Sequence, residues 1–152
     1  MSIVLHHSPA DITRAVIIAN GNGSMPFTDG TPPNPLPVFV NEMPNNPEQL
    51  SVIYDADGQS DGRAMVDGEE WRHEGVRIIV RDNNFPTTDY RARKIRHDLT
   101  QAVNMMVLVI GSSTYLVHCF AKTRMLRLGK EKPSSQRELI SINAYLAVKQ
   151  VS

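Results

Sequence analysis

Read for the spacing of its apolar positions, the chain changes period several times. Ile12, Ala15, Val16 and Ala19 fall at helical spacing. Ser8 stands ahead of them as a cap, Pro9 suits the first helical position, and Asp11 completes an S-x-x-D box at the positive helix end. Asn20-Gly21 supplies a stop, so a helix is predicted over 9–19. Residues 20–37 are too rich in Gly, Pro and Asn for regular structure. A loop that long inside a compact domain is usually functional or disordered. Met25, Phe27 and Leu36 give it apolar anchors for a neighbouring subunit.

Strand-like segments follow. Val38–Asn41 is short, and Leu50, Val52 and Tyr54 alternate with Ser51, Ile53 and Asp55. Segments 69–72 and 76–81 flank His73-Glu74-Gly75, which reads as a tight connection. Residues 88–105 read as the main helix, with Ala92, Ile95, Leu99, Ala102, Val103 and Met106 in one arc. Residues 107–110 and 115–121 resemble strands around Gly111-Ser112-Ser113. Ile140, Ile142, Ala144, Leu146 and Val148 then alternate with polar or small residues, predicting a long, half-buried strand. The order lacks regular βαβ alternation. It predicts one α+β domain over 1–152, with a mainly antiparallel sheet packed against two helices.

Composition narrows the function classes. The 152 residues hold 16 Lys+Arg and 16 Asp+Glu, so the net charge is zero and gives no overall attraction to nucleic acid or anionic membrane. It also does little to oppose self-association. No segment reaches the roughly 18 apolar residues of a membrane span, so no membrane partner is expected. Cys119 is the sole cysteine, which excludes an intrachain disulfide and suits a reducing, cytoplasmic compartment.

Chemistry is sparse. An EF-hand beginning at Asp55 needs Gly at its sixth position and Glu at its twelfth, but Ser60 and Val66 stand there. The run Asp55–Asp61 therefore reads as a turn. His6-His7 lies toward a mobile terminus, and His73, His97 and His118 lack metal-ligand spacing. No metal or other cofactor is expected, and no catalytic residues are assigned. Glu69 and Glu70 are adjacent on a predicted strand, so they point to opposite faces and cannot work as a pair.

One local rule is broken. Arg91, Arg93, Lys94, Arg96 and His97 crowd the first turns of the predicted main helix, where positive charge opposes the helix dipole. This is either a solvated face with arginine stems along the core edge, or a contact for acidic protein or phosphate.

Two stretches carry a family resemblance. One runs from Gly58 through Asp61-Gly-Arg63 to Gly75-Val-Arg-Ile-Ile-Val-Arg81. The other comprises Arg124-Met-Leu-Arg-Leu-Gly129 and Arg137-Glu-Leu-Ile-Ser-Ile-Asn-Ala-Tyr-Leu146. Together they resemble the tail terminator proteins of tailed bacteriophages, often labelled minor capsid or minor tail proteins, over roughly residues 48–150. The loop at 20–37 has no counterpart in that pattern. The resemblance implies a non-enzymatic virion protein, assembled in the host cytoplasm and resident in the tail or neck. It implies a homo-oligomer, a hexameric ring at the head-proximal end of the tail tube, that stops tube polymerisation and meets the head-completion or stopper protein. DNA would pass through its lumen without sequence-specific binding. From other classes, a small nucleic-acid-binding module using the basic helix 91–97 is the alternative, disfavoured by neutral charge and few stacking aromatics. A small hydrolase or isomerase built on Glu69, Glu70 or His118 ranks below it.

Overall fold

The structure is a computed structural model; it describes residues 6–21, 23, 37–44, 49–56, 72–101, 106–122, 125–130 and 137–151. The elements run α1 (Pro9–Ala19), β1 (Val38–Val40), β2 (Leu50–Ala56), β3 (Arg72–Asp82), α2 (Phe85–Gln101), β4 (Met106–Ile110), β5 (Ser113–Lys122), β6 (Leu126–Lys130) and β7 (Glu138–Gln150). The fold is α+β with a mostly antiparallel sheet in the order β1-β2-β3-β7-β5-β4, and β6 pairs with β7. Only the β1–β2 pair is parallel among the described strands.

The start of α1 is as its sequence suggests. Ser8 Oγ accepts from the Asp11 amide at 3.2 Å, satisfying an amide that has no partner within the helix. Gly21 follows the C-cap with φ 79°, a left-handed conformation that glycine takes without strain. The first turn is also tied to the sheet, because Asp55 on β2 accepts from the Ala10 amide at 2.9 Å. Asp55 belonged to the acidic run; its partner in the structure is a helix end, and residues 57–61 lie outside the described residues.

Three expectations need correction. His73-Glu74-Gly75 is not a turn: β3 runs unbroken through it, with Gly75 opposite Tyr145 and Glu74 opposite Leu146 on β7. A glycine within a strand is tolerated when both neighbouring strands hold the ladder, as β2 and β7 do here. The main helix starts at Phe85, three residues before the expected 88. Asn84 accepts from the Thr87 amide at 2.9 Å, and Pro86 needs no amide partner in the first turn. The helix is described to Gln101, and residues 102–105 lie outside the described residues. Last, His6 and His7 are not a loose end. The His7 ring shares a 2.6 Å hydrogen bond with the hydroxyl of fully buried Tyr115, and the His6 ring lies 2.9 Å from Ser113 Oγ.

Alternation on β7 places Ile140, Ile142, Ala144, Leu146 and Val148 in one apolar cluster with Val76, Ile78 and Val80 of β3. Ile12, Val16 and Ile17 of α1 and Ala92, Ile95 and Leu99 of α2 join the same cluster. Helix α1 touches both β1 and β4, which end the strand path, so the sheet curls around it. β7 is less one-sided than its pattern predicts. Ser141 and Ala147, on its other face, are also buried, because strands flank β7 on both sides.

Candidate assembly interface

Strand edges are where a sheet can recruit another chain, since unpaired backbone groups line them. Among the described residues β1 and β4 end the strand path, and β6 pairs on one side only. β1 is three residues long, follows Pro37, and is followed by Asn41, whose φ is 57°. β6 carries a bulge between Arg127 and Gly129 and two cationic residues, Arg127 and Lys130. Shortness, proline, bulges and basic side chains all deter pairing. β4 has none of them. Its sequence is Met106-Val-Leu-Val-Ile110, and Val107 and Val109 are 63% and 64% exposed.

The ladder fixes which backbone groups β4 offers. The Val151 amide donates to the Thr114 carbonyl at 2.9 Å, so Thr114 turns its backbone groups toward the β7 side. Thr114 stands opposite Val109 on β4. Alternation then directs the amides and carbonyls of Val107 and Val109 away from β5, to the open edge. Register partners share a face, so Val109, Thr114 and Val151 form one row and Val107, Leu116 and Lys149 the next. The outer face beside the open edge is therefore mostly apolar. α1 and β4 border an open groove of about 610 Å³, with Ala15, Ile18 and Leu108 along it, Val109 and Ile110 on its β4 wall and Asp11 and Arg14 on its α1 wall. Asp11 and Arg14 pair at 3.4 Å.

A second apolar surface lies at the far end of β7. Leu126, opposite Ser141, is 56% exposed, Leu128 is also exposed, and Arg127 stacks over the Phe85 ring with its guanidinium carbon 4.0 Å from the centroid. Eight residues of β7 separate the rows of Leu126 and Val107, about 26 Å of strand.

The basic cluster of α2 is placed differently from its expected role. Arg91 is the seventh helical residue, so the cluster sits in mid-helix and not in the first turns. The dipole acts within the terminal turn, and no local rule is broken. Arg91 donates to Asp82 Oδ2 at 2.6 Å, Arg93 pairs with Asp89 at 2.9 Å, and the His97 ring lies 3.3 Å from Asp98. Arg93, Lys94 and His97 are exposed, whereas Arg91 and Arg96 are half-buried beside the apolar stripe. Three of the five basic residues are thus exposed on this helix, while Arg91 pairs with Asp82 at the core edge.

Sequence reasoning missed Asp82, Glu138 and Arg127. Asp82 is 1% exposed, and besides Arg91 it accepts from the Asn83 amide at 2.6 Å and Gln49 Nε2 at 3.1 Å. Glu138, its register partner on β7, is buried and meets Arg127 at 3.3 Å. Each carboxylate takes its arginine from another element, so no local motif marks the network.

Met25, Phe27 and Leu36 lie outside the described residues, as do Glu69 and Glu70. His118 is half-buried on β5. Cys119 is also on β5, and its side chain lies outside the described residues. Among the described residues no group of three or more His, Cys, Asp or Glu is placed to hold a metal ion, and no helix is long and apolar enough to cross a membrane.

No protein-family model matches the chain, and no curated protein does. Eight chains of solved structures match it. One, which bears no functional name, is 12% identical and covers 79% of this chain and 84% of its own, with a TM-score of 0.42. That likeness is too distant to carry an argument about function.

Proposed function

We propose that the protein is a structural subunit of a bacteriophage tail, a tail terminator that assembles as a hexameric ring at the head-proximal end of the tube. In this reading an antiparallel sheet with both helices packed on it is the ring's building block. The ring halts tube polymerisation and meets the head-completion protein, and DNA passes through its lumen. The protein is not an enzyme, and its mature location is the virion.

The observation that carries the reading is the pairing of the two stretches that resemble the family. They lie far apart in sequence, yet Gly75, Val76 and Arg77 stand opposite Tyr145, Ala144 and Asn143 in the centre of the sheet. Two short likenesses thus fall on one structural unit. Assembly is further supported by the separated apolar surfaces at β4 and at β6 with Phe85. A ring built head to tail needs two different surfaces on each subunit.

Native mass spectrometry of the purified chain, alone and with a tail-tube protein, tests the proposal. A closed hexamer in either sample is the expected result. A strict monomer in both, at high concentration, would sink it.

A further inference from the structure

We infer that two free copies of this chain pair through β4, antiparallel and about a two-fold axis at Leu108, so that their sheets become continuous. The ring proposed above does not require this contact; it concerns the subunit before it meets any partner.

Four observations lead to it. β4 is the one described edge without proline, bulge or charge, and an edge left so is a template for another strand. Its exposed backbone groups belong to Val107 and Val109. These residues stand symmetrically about Leu108, so a two-fold axis there sets Val107 of each copy against Val109 of the other. Both members of each pair offer their amide and carbonyl outward, giving two hydrogen-bonded pairs and four N–H···O bonds. A one-residue slip would instead oppose outward groups to inward ones.

The side chains suit the same register. Val107 and Val109 of both copies meet on the outer face, each now about two-thirds exposed. Leu108 of both copies turns inward. There the groove under α1, about 610 Å³ and bordered by Ala15, Ile18 and Leu108, gives room for the second leucine and its neighbours. Met106 and Ile110, only partly buried in one copy, would be covered by each other across the axis. The fourth observation is electrostatic. Sixteen cationic and sixteen anionic residues leave no net charge to hold two copies apart.

The occupant argued for is a second copy, not an unrelated strand, because the Val-Leu-Val pattern is its own complement in this register. A two-fold contact is also self-limiting, since it uses the β4 edge of both copies and leaves neither of those edges to grow a fibre. Two five-residue strands bury little area, at the low end of specific interfaces, below about 1,200 Å² in total. The dimer therefore forms reversibly, at about micromolar concentrations, and yields to a larger interface.

Light scattering after size exclusion and native mass spectrometry, run from about 1 to 100 μM, read the dimer directly. The wild-type chain should pass from monomer to dimer over that range. Val107→Lys and Val109→Glu alter exposed positions and should leave the circular-dichroism melt unchanged, while each weakens dimerisation by about tenfold or more. An equimolar mixture of the two variants should recover the dimer, because the introduced lysine of one chain would face the introduced glutamate of the other. A wild-type chain that stays monomeric, variants that dimerise as the wild type does, or a mixture that fails to recover would each overturn the inference. Hexamers with tube protein but no dimer of the free chain would overturn it and leave the ring standing. A dimer that obeys the charge rule while no ring forms with tube protein would do the reverse.

Discussion

Replacing Asp82 by Ala should cost about 3 kcal/mol, because this carboxylate is almost fully enclosed and three donors converge on it. A hydrogen bond to a charged group is worth about 1.5–3 kcal/mol net, and one left unmade in the interior costs a similar amount. The Arg91 share must be discounted, to about 1 kcal/mol, because that side chain is 33% exposed and can be rehydrated. The Asn83 amide and Gln49 Nε2 contribute about another 2 kcal/mol together, with Gln49 itself only half-buried. Asp82→Asn keeps the shape and one acceptor oxygen, so it should lose only about 1–1.5 kcal/mol. Urea unfolding at neutral pH measures both, and a cycle with Arg91→Gln isolates the pair, for which about 1 kcal/mol of coupling is expected. A loss below about 1 kcal/mol for Asp82→Ala, or no coupling with Arg91, would refute the view that Arg91 serves the core edge and return it to the surface cluster.

The neighbouring basic residues should behave otherwise. Arg93→Gln with Lys94→Gln should move stability by no more than about 0.5 kcal/mol, since Arg93 holds only an exposed i,i+4 pair with Asp89; a drop beyond about 1.5 kcal/mol in a thermal melt would contradict this. Asp55→Ala removes an acceptor for the α1 amide of Ala10 and the link to Asn41 Nδ2 at 3.2 Å. The expected cost is about 1 kcal/mol, as for losing a helix cap, and urea curves superimposed on the wild type would show that Asp55 does not anchor the helix.

Elements with a strong internal period were legible in the sequence, and contacts made across elements were not. The cap, stripe and stop of α1 are local signals, and the α1 helix spans Pro9–Ala19 as read. A turn at Gly111, φ 59°, was legible too, though it is only two residues long and Ser113 already lies on β5. Gly75 misled because glycine marks a turn when read alone; only the strands on either side reveal that it lies in mid-sheet. The start of α2 lies three residues before the expected 88, at Asn84-Phe-Pro86, itself a sound opening signal. That shift of three residues removed the supposed dipole conflict of the basic cluster. The openness of β4 could not be read at all. Its residues suit a buried strand as well as an edge, and only the strand order decides between them.

β7 also governs how the molecule can fold. β2 with β3 and β4 with β5 are pairs of strands adjacent in sequence, the nearer contacts of the sheet. β7 joins them, and it meets β3 only across a long span of chain that holds α2 and three strands, since Ile142 lies opposite Ile78. Closing a span of that length precedes any reward from the contact, which slows the search. Until β7 inserts, β3 and β5 each present an apolar flank with unmet backbone groups. The most vulnerable moment for this chain is therefore a half-built sheet with a gap at its centre, a state in which stray strands can enter where the last one belongs.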